Sequence, residues 1–196
     1  MLETIFGSFA LVALSEMGDK TQLLAFSLAA RFKRPWTVLA GILVATILNH
    51  ALASTVGDWV AAQINPRILT ITLALAFFVF GLWTLKPDTL DGKERSNAYG
   101  PFLTTTVLFF IAEMGDKTQL ATVALAAKYR SAVLVTIGTT LGMMFTDGLA
   151  VFAGEKLAAK MKMEWVRWIA AVLFFAFGVG ALLTCKLVSP ILISGE

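Results

Sequence analysis

The stretch "EMGDKTQ" occupies residues 16–22 and recurs, letter for letter, at 113–119. Each copy sets Glu, Asp and Lys inside a segment otherwise as apolar as lipid. The first copy is preceded by "TIFGSFALVALS" and followed by "LLAFSLAA". An Asp or Lys at bilayer depth costs roughly 2.5–3.5 kcal/mol on insertion scales. A sequence that accepts this cost twice, at matched positions, needs the charges there.

The rest of the chain is what a bilayer selects. Of 196 residues, 58% are hydrophobic and 15% charged, with mean hydropathy +0.79. Soluble domains run at about 45–50% apolar and about 25% charged. The net charge of +3 is too small, and its basic residues too confined to loops, to suggest a nucleic-acid partner. The single cysteine, Cys185, excludes an internal disulfide and any multi-cysteine metal site, and reads as packing. No Lys or Arg precedes Lys20, so the N-terminal segment reads as a retained helix and not as a signal peptide.

A helix needs about 20 apolar residues to cross the hydrocarbon. Six segments qualify, at roughly 3–30, 36–57, 67–85, 101–128, 132–153 and 165–186. Trp36, Trp59, Trp83 and Trp165 lie near the ends, where an interfacial aromatic belt belongs. "GDWVAAQINPR" reads as the link between the second and third spans. "GEKLAAKMKMEW" reads as a short surface amphipathic segment between the fifth and sixth.

A shift of 97 residues superimposes more than the two heptapeptides. It pairs Leu28-Ala29-Ala30 with Leu125-Ala126-Ala127, Gly41 with Gly138, Gly57 with Gly154, and Phe80-Gly81 with Phe177-Gly178. About a third of positions over some seventy are identical, which marks an internal repeat. The expected fold is therefore an all-α integral membrane protein of six transmembrane helices in two repeats. Residues 1–86 form the first three-helix repeat, 87–100 a cytoplasmic connecting loop, and 101–196 the second repeat. Three is an odd number, so the second repeat must enter the membrane from the opposite side. That is an inverted-topology repeat.

Loop charges set the expected orientation. One side receives Arg31, Lys33, Arg34, Lys86, Lys93, Arg95, Lys156, Lys160, Lys162 and Arg167; the other receives Arg67, Lys128, Arg130 and Lys186. The positive-inside rule puts both termini outside the cytoplasm.

Within the motif, Glu16 and Asp19 are three apart, as are Glu113 and Asp116, so on a continuous helix each pair shares a face. Gly18 and Gly115 sit between the acids, where the helix could loosen and free carbonyl oxygens. Thr21, Gln22, Thr118 and Gln119 add neutral oxygens one turn on. The four acids, facing each other near the midplane, would make an oxygen-rich cage for a hard divalent cation, and Mg2+, Ca2+ and Mn2+ all fit that donor set. Lys20 and Lys117 read either as internal counter-charges or as side chains snorkelling to an interface. Four clustered carboxylates cannot all stay ionised in a low-dielectric cavity without compensation, so metal and protons would exchange for one another.

Outside the motif, Asn49 and His50 align with Thr146 and Asp147. If their helices meet at the axis, His50 and Asp147 could pair or relay protons, with Asn49 beside them. Asp58 and Glu155 align near helix ends and read as solvated. Gly41, Gly138, Gly142 and Gly148 favour close helix contacts. The Phe-rich third and sixth helices read as a lipid-facing periphery.

The duplicated E-x-G-D-K-T signature resembles that of a family of small cation/proton antiporters. The family includes MneA-type manganese exporters of bacteria and Golgi Mn2+/Ca2+ transporters of eukaryotes. The resemblance covers essentially the whole chain. It implies export of Mn2+, or Ca2+ in some members, against protons, with no cofactor beyond the transported ions. It places the motif acids on Glu16, Asp19, Glu113 and Asp116, and the motif Lys and Thr on Lys20, Thr21, Lys117 and Thr118. The implied partners are the lipid bilayer and a divalent metal ion; homo-oligomerisation stays open. The short central loop, unlike the longer acidic loops of some eukaryotic members, puts any regulatory role for it in doubt.

Three other readings compete. Basic amino acids or other cationic organic solutes could use the same carboxylates. A passive cation channel would need no sealed site. An intramembrane aspartyl protease would need G-x-G-D and Tyr-Asp, but Glu stands where the first Gly should be and no Tyr-Asp occurs.

Overall fold

The computed structural model describes residues 1–86, 99–158 and 163–188. Eight α-helices carry the fold, and among the described residues there is no strand. They are α1 (Leu2–Glu16), α2 (Lys20–Phe32), α3 (Pro35–Gln63), α4 (Pro66–Thr84), α5 (Gly100–Glu113), α6 (Lys117–Tyr129), α7 (Ala132–Ala158) and α8 (Met163–Val188). The expected connecting loop falls almost wholly outside the described residues, as does the middle of the expected surface segment.

The first and fourth expected spans are each interrupted at the heptapeptide. α1 ends at Glu16 and α2 begins at Lys20; α5 ends at Glu113 and α6 begins at Lys117. Elsewhere the helices run longer than hydropathy suggested. α3 continues through most of the presumed link to Gln63, because nothing in "GDWVAAQ" breaks a helix before Asn65-Pro66. Its 29 residues span roughly 43 Å at 1.5 Å each, more than the ~30 Å hydrocarbon. Asp58 accordingly lies within α3. By length and apolar content Pro35–Gln63, Pro66–Thr84 and Ala132–Ala153 can cross a membrane, and Gly100–Glu113 and Arg167–Leu183 are shorter apolar helices. Trp36, Trp59 and Trp165 are exposed near helix ends, as an aromatic belt requires.

The packing exchanges partners between the halves of the chain. α1 and α2 lie against α7, whereas α5 and α6 lie against α3, and α3 and α7 pack on each other. Glycines permit the approach. A Cβ on Gly41 would sit 2.8 Å from Phe102 O, and one on Gly138 would sit 2.5 Å from Ile5 O. Their neighbours correspond as well, since Gly41 faces Thr105 and Gly138 faces Ser8. Each of these pairs differs by the same 97 residues. Gly142 makes a similar approach to Phe9 O, but Gly148 meets nothing within 4 Å and is not a contact glycine.

The apolar residues form two clusters, one with Leu28 and Val38, the other with their equivalents Leu125 and Val135. In lipid the hydrophobic effect does not drive helix association, so this packing must come from dispersion and polar contacts. α4 and α8 are only half peripheral. They pack on one another through fully buried Phe77 and Phe174 and the ring pair Phe78–Phe175, leaving their other faces exposed. Uniform hydrophobicity hid this, because a helix apolar all round gives no sign of which face meets protein.

Candidate functional site

Each heptapeptide builds the same break. Met17 is extended, Gly18 has φ +79, and Asp19 is the N-cap of α2. Met114, Gly115 (φ +79) and Asp116 repeat this before α6. A positive φ is what glycine permits at little cost. Asp19 Oδ1 accepts from Lys20 N at 2.8 Å and Asp116 Oδ1 from Lys117 N at 2.6 Å. Gln22 Oε1 reaches back to accept from Gly18 N at 2.8 Å, and Gln119 Oε1 accepts from Gly115 N at 2.7 Å. In each D-x-x-Q the Asp takes the first N–H of the new helix and the Gln takes the N–H of the residue before the Asp, so the two side chains together close the break. The glutamine oxygens, expected to add to the cage, are instead engaged in capping. The pattern was present in the sequence and could have been read there.

The break also separates acids that a continuous helix would have aligned. Glu16 ends α1, whereas Asp19 opens α2. Both are buried, as are Glu113 and Asp116.

The second relation joins the two halves. Lys20 Nζ lies 2.7 Å from Asp116 Oδ2, and Lys117 Nζ lies 3.1 Å from Asp19 Oδ1. Each motif lysine thus neutralises the aspartate of the opposite copy. Both lysines stand where internal counter-charges would stand, beside an aspartate of the other copy. The pairs differ in access, the Lys117 side chain being 3% exposed and that of Lys20 29%.

Glu16 is held by hydroxyls from both copies. Thr21 Oγ1 donates to Glu16 Oε2 at 2.7 Å, and Thr118 Oγ1 donates to Glu16 Oε1. Glu113 has no such support, and neither of its carboxylate oxygens has a hydrogen-bond partner among the described residues. The acids whose charge reaches it are Glu16, Asp116, Asp19 and Asp147. The motif acids therefore converge on one region, but with lysines interleaved. Among the described residues no three His, Cys, Asp or Glu side chains stand together as a ready metal-ligand set.

Asn49 and Thr146, equivalents by the repeat, fasten the breaks to the long helices. Gln22 Nε2 donates to Thr146 O at 3.2 Å, and Gln119 Nε2 to Asn49 Oδ1 at 3.4 Å. Asn49 Nδ2 donates in turn to Phe110 O at 3.1 Å. His50 and Asp147 are fully buried, but they do not bond to each other. Neither ring nitrogen of His50 and neither oxygen of Asp147 has a hydrogen-bond partner among the described residues. Equivalence by repeat fixes where each lies on its own helix, not that the two side chains meet. The charge that reaches Asp147 is that of Glu16.

Comparison with known proteins follows the same outline. The family model for "Divalent cation/proton antiporter GDT1" matches residues 4–92 and 101–187. The "Putative manganese exporter" of Vibrio cholerae serotype O1 is 45% identical over 168 residues, 85% of this chain and 84% of that one. GDT1-like protein 5 of Arabidopsis thaliana is 32% identical over 225 residues, 94% of this chain and 97% of that one. GDT1-like protein 3 of Oryza sativa subsp. indica is 29% identical over 208 residues, 92% of this chain and 74% of that one. No solved structure matches. These are membrane transporters and not an enzyme family, and the family's divalent cations do not support organic solutes as the cargo.

Proposed function

The chain belongs to the GDT1 family of divalent cation/proton antiporters, and from that premise we propose that it exports Mn2+ from the bacterial cytoplasm in exchange for protons. Ca2+ is the second cargo that the oxygen donors suit. We place it in the inner membrane as six spans in two inverted repeats, 1–86 and 101–196, with both termini periplasmic. The loop at 87–100 is then cytoplasmic.

One observation carries this reading: the crossed ion pairs Lys20–Asp116 and Lys117–Asp19. The lysines are cations tethered at the aspartates that a mobile cation would use. Removing one partner of a buried pair costs about 3–5 kcal/mol, so the aspartates need a cation at every stage. An arriving metal ion takes Asp19, Asp116, Glu16 and Glu113 as ligands and displaces the ammonium groups. When it leaves, the lysines return and protons neutralise the remaining acids. Thr21 and Thr118 hold Glu16 in position, and Gly18 and Gly115 give the backbone its turn. Asp147, buried without a hydrogen-bond partner, is the group we assign to pass protons to the motif, with His50 and Asn49 on the facing helix.

The test is Mn2+ and proton flux in proteoliposomes for the wild type, Glu16→Gln and Asp116→Asn. Opposed fluxes in the wild type, lost in both variants with folding intact, are expected. Normal flux in either variant, or transport indifferent to a pH gradient, would refute the reading.

A further inference from the structure

Away from the motif, a cleft of about 220 Å3 opens between α4, α6 and α8. It is lined by the apolar Leu69, Leu73 and Ala181, by Thr70, and by two cations, Lys128 and Arg130, which we take as its lip. Three of the four basic residues on the charge-poor side of the chain, Arg67, Lys128 and Arg130, thus lie at or next to this one feature.

The two cations are held differently. Lys128 Nζ sits 4.2 Å from the centroid of the Phe177 ring and 5.2 Å from that of Tyr129, so its aliphatic stem follows apolar surface while the ammonium stays at the lip. Glu3 is the acid whose charge reaches it. Arg130 ends α6 in the left-handed region, with its backbone N–H bonded to Ala126 O. Its guanidinium is exposed and makes no ion pair or ring contact among the described residues. The lip therefore keeps a net positive charge.

A small aqueous anion would satisfy that charge but leave the apolar wall uncovered. A zwitterionic lipid would cover the wall but bring its own cation to the lip. We infer that the cleft binds an anionic phospholipid, its phosphate at Lys128 and Arg130 and an acyl chain along Leu69, Leu73 and Ala181. A phosphate is the natural partner of a Lys and an Arg side by side, through charge-assisted hydrogen bonds. The inference does not depend on which cation is transported.

The experiment is native mass spectrometry of the delipidated wild-type protein with phosphatidylglycerol or phosphatidylcholine of identical chains. Wild type should retain phosphatidylglycerol at least ten-fold better. Arg130→Gln should weaken that retention about five-fold and Lys128→Gln/Arg130→Gln about thirty-fold, each lost cation removing one charge-assisted contact to the phosphate. Arg34→Gln, which removes a charge elsewhere, should change nothing. Arg130 is exposed and makes no ion pair or ring contact among the described residues, so its single variant reads binding even if the double variant fails to fold. Equal retention of the two lipids, no effect of Arg130→Gln, or displacement of the lipid by equimolar inorganic phosphate would overturn the proposal.

Discussion

Lys20 Nζ stands 2.7 Å from Asp116 Oδ2, a contact between residues 96 positions apart that no local pattern could supply. With its counterpart, Lys117–Asp19 at 3.1 Å, it ties the two heptapeptides into one unit. The pair is crossed, so neither copy is complete without the other. This makes the lysines the first place to test.

Lys117→Gln and Lys20→Gln should each lower metal flux at least ten-fold in proteoliposomes. Lys117 is the more deeply buried, so its loss should also lower thermal stability more, by an amount on the order of 3 kcal/mol. Equal and negligible loss of stability in the two variants would show that the pairs are incidental.

Thr118 and Thr21 both donate to Glu16. Thr118→Val keeps the shape and removes the hydroxyl, at a cost of about 1.5–3 kcal/mol for a bond to a charged acceptor. Thr118→Ser should restore most of the flux that Thr118→Val loses. Failure of serine to rescue would assign the threonine to packing.

Gly115 has φ +79 and open space where a Cβ would point, so Gly115→Ala tests backbone conformation without a clash. The strain should amount to about 1–2 kcal/mol, seen as a lower melting temperature and slower transport. Gly148→Ala is the control, being helical, equally open and free of positive φ. It should behave as wild type.

Gly138 and Gly57 test assembly. A Cβ at Gly57 would collide with Val123 O, and one at Gly138 would lie 2.5 Å from Ile5 O. Both obstacles are backbone atoms and cannot rotate away. Gly57→Ala and Gly138→Ala should each reduce the yield of monodisperse protein in size-exclusion chromatography severalfold. A normal elution profile would mean that the helices can separate at little cost.

Asp147→Asn is nearly isosteric and removes only the capacity to exchange a proton. It should leave equilibrium Mn2+ binding within about two-fold of wild type but abolish the acceleration of uptake by a pH gradient. If both change together, Asp147 belongs to the metal site.

The sequence alone determined the all-helical membrane class, the duplication and the presence of four acids in the two heptapeptides. It could do so because lipid penalises uncompensated charge strongly enough that composition and repetition become legible without contacts. The breaks at Gly18 and Gly115 are half legible, since a glycine between two acids signals a loosened helix, whereas the Asp and Gln that close each break look like further members of a polar cluster. Tertiary structure decided how the charges pair. Which lysine meets which aspartate, that both threonines turn to Glu16, and that His50 and Asp147 stay apart all depend on how α1 and α2 seat on α7 and how α5 and α6 seat on α3. Ion pairing and hydrogen bonding are settled by a few ångströms between side chains far apart in sequence, and a one-dimensional pattern does not carry that distance.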